Sequence, residues 1–125
     1  MPIAVLLVDD LGPHRARCLS FLSKRFALSL LEVRKSIEHG QPVVTRNLFD
    51  RQNPPFAEIF AEALAEMEAL KCRYRAFEVS EGQVWTSPEG YYQLTIERLR
   101  NMIGARRISL ERQRQLGELE DRDPT

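Results

Sequence analysis

The chain has 125 residues, 43% of them apolar and 29% charged, with a formal net charge of zero. That balance describes one globular domain able to bury a core without a disulfide or metal staple, and excludes a disordered chain. A neutral total argues against bulk attraction to nucleic acid or a membrane surface, and the longest apolar run, Ile3 to Val8, is far short of the roughly 20 residues of a membrane span.

Ile3–Val8 reads as a strand buried on both faces. Asp9 and Asp10 follow it and no basic stretch precedes it, so it does not read as a signal peptide. Gly12 and Pro13 turn the chain. From Arg15 to Phe26, Cys18, Leu19, Leu22 and Phe26 recur at helical spacing, giving a first helix. Ser29 and Glu32 form a capping-box pattern for a second helix, Leu30 to His39, with Leu30, Val33 and Ile37 along its inner face. Gly40 and Pro42 end it. Gln41 to Phe49 is expected as a second strand, interrupted by Arg46 and Asn47. Asn53 and the prolines after it open a third helix, Phe56 to Leu70, whose apolar face is the clearest periodicity in the chain. Glu58, Glu62 and Glu66 lie opposite that face. Tyr74–Val79 is expected as a third strand.

Beyond residue 80 the pattern changes. A loop, 81–88, holds the single tryptophan, Trp85. Ser87 and Pro88 then suggest a fourth helix, with Tyr92, Ile96, Leu99 and Ile103 as its seam and Gly104 as its end or break. Glu118 to Thr125 reads as a frayed acidic tail. The expected fold class is therefore α/β, an α+β sandwich in the order β-α-α-β-α-β. It comprises a three-stranded domain over residues 1–80 and a C-terminal helical extension over residues 81–125. That extension buries its seam either against the domain or against a second copy of the chain.

The segment from Leu28 to Pro42, with the helix and strand after Pro54, resembles the C-terminal domain of the bacterial ribosomal stalk protein. That domain shares its fold with the adaptor that delivers N-degron substrates to the Clp protease, and Val8-Asp9-Asp10 is similar to the adaptor's Asn-Asp-Asp junction. The resemblance spans residues 3–79. It implies a domain that recognises other proteins and does no chemistry. Val8 stands in place of the adaptor's asparagine, and Ile37 falls near its degron-binding histidine, with His39 two residues on. The stalk domain's lysine-rich partner face corresponds here to the helix bearing Arg34 and Lys35. A second resemblance, to two-component receiver domains, rests on Val5–Asp10, on Leu48–Pro54 around Asp50, and on Ser80. It implies a magnesium-binding acid pair and a phosphoacceptor, but no lysine follows Lys71 to neutralise an acyl phosphate.

Candidate chemistry is sparse. Asp9, Asp10 and Asp50 could gather at strand ends and hold a divalent cation. Alternatively, Asp9 and Asp10 simply end a strand and favour the start of the next helix. His14 and His39 are the only histidines, and His39 suits the C-terminal end of its helix. No nucleophile elbow, P-loop or dinucleotide fingerprint occurs. Cys18 and Cys72 lack ligand spacing and read as reduced, buried thiols of a cytoplasmic protein. Residues 91–116 carry six arginines against two glutamates. That cluster, with Trp85, Tyr91 and Tyr92 beside it, could grip RNA or an acidic partner, or could be a solvated helix face. The sequence thus favours a cofactor-free, non-enzymatic protein-binding module or adaptor, with Arg34, Lys35, Arg98, Arg106 and Arg107 as contacts. RNA or ribosome association through the arginines is the alternative. A membrane partner is not expected, and a homodimer through the last helix is a further option.

Overall fold

A computed structural model describes residues 2–50, 54–80, 82–88 and 91–121. Their elements are β1 (Ile3–Asp10), α1 (Arg15–Arg25), α2 (Leu30–Glu38), β2 (Val44–Asn47), α3 (Phe56–Ala69), β3 (Arg73–Val79), β4 (Tyr92–Gln93) and α4 (Ile96–Asp121). Through β3 the order is the expected one. The sheet, however, has four strands rather than three, ordered β2-β1-β3-β4.

Each pairing is antiparallel: β1 sets Ile3 opposite Asn47 on β2 and opposite Val79 on β3, and β3 sets Phe77 opposite Gln93 on β4. This is not the parallel, doubly wound sheet of a receiver. Alternation along β1 explains why the whole run is apolar. Ala4, Leu6 and Val8 join the core beneath the helices, with Cys18, Leu22, Val33, Phe60, Leu64 and Met67. Val5 and Leu7 join Phe77 and Val79 on the opposite face, under Trp85 and Tyr91. Trp85 lies 5.4 Å from the Phe77 ring and stacks on Tyr91 at 5.0 Å, while the Tyr91 hydroxyl donates to the Val84 carbonyl at 2.9 Å. Helices thus cover one face of the sheet and an aromatic strap covers the other.

Several boundaries differ from expectation, each for a local reason. Arg46 and Asn47 do not interrupt β2 but belong to it, because only Val44 of its four residues must face the core. The proposed Asn53 cap falls outside the described residues. Pro55 is the N-cap of α3, and the Asp50 carboxylate accepts from the Phe56 N–H at 3.4 Å. Ser87 and Pro88 do not open α4. The chain first pairs back onto β3, with the Leu94 N–H donating to the Ala76 carbonyl at 2.7 Å. Thr95 then caps the helix, its hydroxyl accepting from the Arg98 N–H at 3.1 Å. Tyr92 therefore sits in β4 at 78% exposure instead of in the helical seam. Leu94 and Leu99 enter the same core as β1 and α3. Gly104 neither ends nor breaks α4, which runs on as helix through the first four residues of the expected frayed tail.

Candidate protein-binding surface

The α2 helix starts as its sequence dictates. The Ser29 hydroxyl accepts from the Glu32 N–H at 3.0 Å. Leu28 and Val33, at the two positions of a hydrophobic staple, both pack in the core, with Ile37 beside them. Leu28 takes the place expected for Leu30: Leu30 is 51% exposed and Leu31 61% exposed. One turn on, Arg34 and Lys35 are also exposed, and neither has an ion-pair partner among the described residues. Two leucines and two cations therefore share the outer side of one short helix, with Glu38 four residues on from Arg34 and three from Lys35 on the same side.

Just before α2 opens an apolar cleft of about 150 Å³ lined by Phe26, Leu28, Val43, Val44 and Phe56. The Arg46 guanidinium closes one wall, 4.7 Å from the centre of the Phe56 ring. The β2 strand along this cleft is an edge of the sheet, with one row of backbone groups turned away from β1.

The arginines of α4 are largely engaged within the chain. Arg98 pairs with Glu78 at 2.7 Å, Arg107 with Glu58 and Arg114 with Glu111 at 2.8 Å. The Arg106 guanidinium lies 5.0 Å from the centre of the Phe49 ring. Only Arg100 and Arg112 of the six lack an ionic or aromatic partner among the described residues. At about 100° per residue, Arg98 and Arg112 lie on the side of the helix opposite Arg100, Arg107 and Arg114. No single basic stripe forms.

The acidic trio does not assemble. Antiparallel pairing of β1 with β2 carries the chain back, so Asp50 lies beyond the Ile3 end of β1 while Asp9 and Asp10 lie at the other. At about 3.3 Å per residue those ends are roughly 20 Å apart. Each carboxylate already has a structural partner. Asp9 takes a bidentate hydrogen bond from Arg75 at 2.8 and 2.9 Å, which raises the arginine's pKa. Asp10 accepts from the Gly12 N–H at 2.8 Å, and Asp50 accepts from Arg46 at 3.4 Å. Among the described residues no group of three or more His, Cys, Asp or Glu is placed to hold a metal ion. His14 is the N-cap of α1 and makes no side-chain capping hydrogen bond; His39 is the C-cap of α2. Both are exposed.

One feature escapes sequence reading, the Leu30–Leu31 pair, because helical periodicity assigns Leu30 to the core. Cys18 and Cys72 are free thiols and both are buried, and the Cys72 thiol faces the Arg73 carbonyl oxygen at 3.9 Å. No family model, curated protein or solved structure matches this chain.

Proposed function

We propose that the chain is a non-enzymatic protein-binding module that docks an acidic, amphipathic segment of a partner on the outer face of α2. The exposure of Leu30 and Leu31 beside Arg34 and Lys35, which make no ion pair among the described residues, carries this reading. Apolar side chains of a partner would cover the leucines, and its carboxylates would meet the two cations. The adjoining cleft from Phe26 to Phe56 offers room for a further apolar side chain. A resemblance to the ribosomal stalk domain would imply a partner face on this same helix.

The test is capture from nuclease-treated lysate on the intact chain, beside a Leu31→Glu/Arg34→Glu variant and an Arg106→Ala/Arg107→Ala variant. A protein partner retained after nuclease, lost with the α2 variant and kept with the α4 variant, is the expected result. Capture indifferent to the α2 changes would refute the reading. Recovery of nucleic acid that depends on Arg106 and Arg107 would replace it with RNA association, and would weaken by about 0.7–0.9 log units per log unit of salt for each phosphate contacted.

A further inference from the structure

The outer face of α2 suits an acidic segment that carries leucines, and the chain itself ends in one. Residues 116–123 read Leu-Gly-Glu-Leu-Glu-Asp-Arg-Asp, two leucines and four acids against one arginine. The α4 helix carries the start of this stretch away from its own domain. Leu110 still lines a cleft with Phe49 and Pro55, but residues 111–116 are all exposed, Leu116 at 61%. From Leu110 the helix continues to Asp121, about 16 Å further along its axis at 1.5 Å per residue. Only four residues follow Asp121, and at about 3.5 Å each they reach back no further than the level of Leu110. There the neighbours are Phe49 and Pro55, not α2. The end of α4 therefore cannot meet the α2 of its own chain. Helices in folded proteins owe most of their stability to an apolar face packed on another surface, and Leu116 has no such surface among the described residues.

We propose that the end of α4, from Leu116 onward, docks on the outer face of α2 of a second copy of this chain. The inference rests on the reading of α2 as the docking face and names an occupant for it. Complementary charge and matched spacing carry it. When the two helices run in the same direction with Leu116 level with Leu30, Glu120 comes level with Arg34 and Asp121 with Lys35. Leucine and charges are four and five residues apart on both helices. The reverse direction would set Arg112 level with Arg34, a repulsive pairing. Exchange of α4 ends between two copies closes a twofold dimer, whereas one-way docking builds a longer assembly. In either case leucines of both helices leave water together, and the acids replace solvent around Arg34 and Lys35.

The experiment sediments the full chain over a wide range of concentration, with the mass expected to rise from 14.5 kDa toward twice that or beyond. In a mixture of isotope-labelled and unlabelled full chain, a zero-length carbodiimide should link Lys35 of one copy to an acid within residues 118–123 of the other. Leu31→Glu and Leu116→Glu should each weaken association by about tenfold or more, the loss of one covered leucine. Arg34→Glu/Lys35→Glu should weaken it too, and adding Glu120→Lys/Asp121→Lys to that chain should restore it. A mass of 14.5 kDa at every concentration would overturn the proposal. So would association that gives no link from Lys35 between copies, or that both leucine changes leave intact. The cross-link on the parent chain needs no variant, so it holds even if a substitution disturbs folding. A monomeric chain that still captures a protein through α2 overturns only this occupant, whereas capture indifferent to the α2 changes removes the docking face itself.

Discussion

Replacing Gly12 with alanine should destabilise this fold far more than a surface glycine change usually does. Gly12 sits at φ +76°, where an L-residue is strained by about 1–2 kcal/mol. Its added Cβ would meet the Lys71 carbonyl oxygen at 2.4 Å and the carbonyl carbon at 2.9 Å. Both are backbone atoms of a turn held by its own hydrogen bonds, so no flexible side chain can give way. Overpacking of this kind costs about 1–3 kcal/mol. The sum is about 2–5 kcal/mol, a large share of a small domain's stability. Gly104 supplies the control: it lies inside α4, and a Cβ there meets nothing within 4 Å. Gly104→Ala should therefore gain about 0.5–1 kcal/mol by restricting the unfolded chain. Urea unfolding followed by Trp85 fluorescence reads both, since that ring stacks on Tyr91 and packs against Phe77. Opposite shifts in midpoint at a common slope are expected. A Gly12→Ala chain that unfolds at the parent midpoint would refute the close approach of the two turns.

Ser29→Ala should cost about 1 kcal/mol by removing the cap on the Glu32 N–H, read as a lower urea midpoint. Leu31→Glu, on the exposed side of the same helix, should leave that midpoint within about 0.5 kcal/mol of the parent, so any loss of partner capture it causes is not unfolding. The hydroxyl of Tyr74, half-buried and donating to Glu68 at 2.7 Å, is held above the ordinary tyrosine pKa by partial desolvation and by that carboxylate. Above the unfolded pKa of about 10 the unfolded chain therefore loses this proton first, and stability should fall as pH rises further. An ultraviolet titration should show a late phenolate component that Tyr74→Phe removes.

Elements whose signals are local were legible in the sequence. The Ser29–Glu32 box, the Phe56–Leu64 periodicity and the Ile3–Val8 run each depend on neighbours within two helical turns or one strand. What the sequence hid depends on partners distant in the chain. The β4 strand is two residues long and exists because Phe77 and Glu78 offer it a free edge; Tyr92 and Gln93 carry no strand signal of their own. Leu30 has core periodicity but loses the inner position to Leu28. The acid trio looked plausible only while the direction of β2 was open, since an antiparallel return separates residues that a parallel one would gather. The close approach of Gly12 to the Lys71 carbonyl is the extreme case, as it depends on how two turns meet.

The charges show which surface is left for a partner. Counted along the sequence, residues 91–116 look like the strongest electrostatic feature, and α2 looks unremarkable. Folding reverses that order. Glu58 and Glu62 of α3 draw in Arg107 of α4 and Arg25 of α1, and Glu78 of β3 draws in Arg98, so the helices that build the core consume each other's charge. These pairs are at least partly exposed and individually worth little; their effect is to cancel the field that a nucleic acid would follow. The α4 helix does outrun α3, and Ile108, Leu110 and Leu116 are exposed along it. Yet Ile108 and Leu110 are about 200° apart around the axis, so they cannot serve one seam between two copies. On α2, Leu30 and Leu31 are adjacent, Arg34 and Lys35 follow at the spacing of one turn, and neither cation is held in an ion pair among the described residues. Exposed apolar side chains and cations free of an ion pair coincide there, and that coincidence makes α2 the surface where a substitution should alter binding without altering the fold.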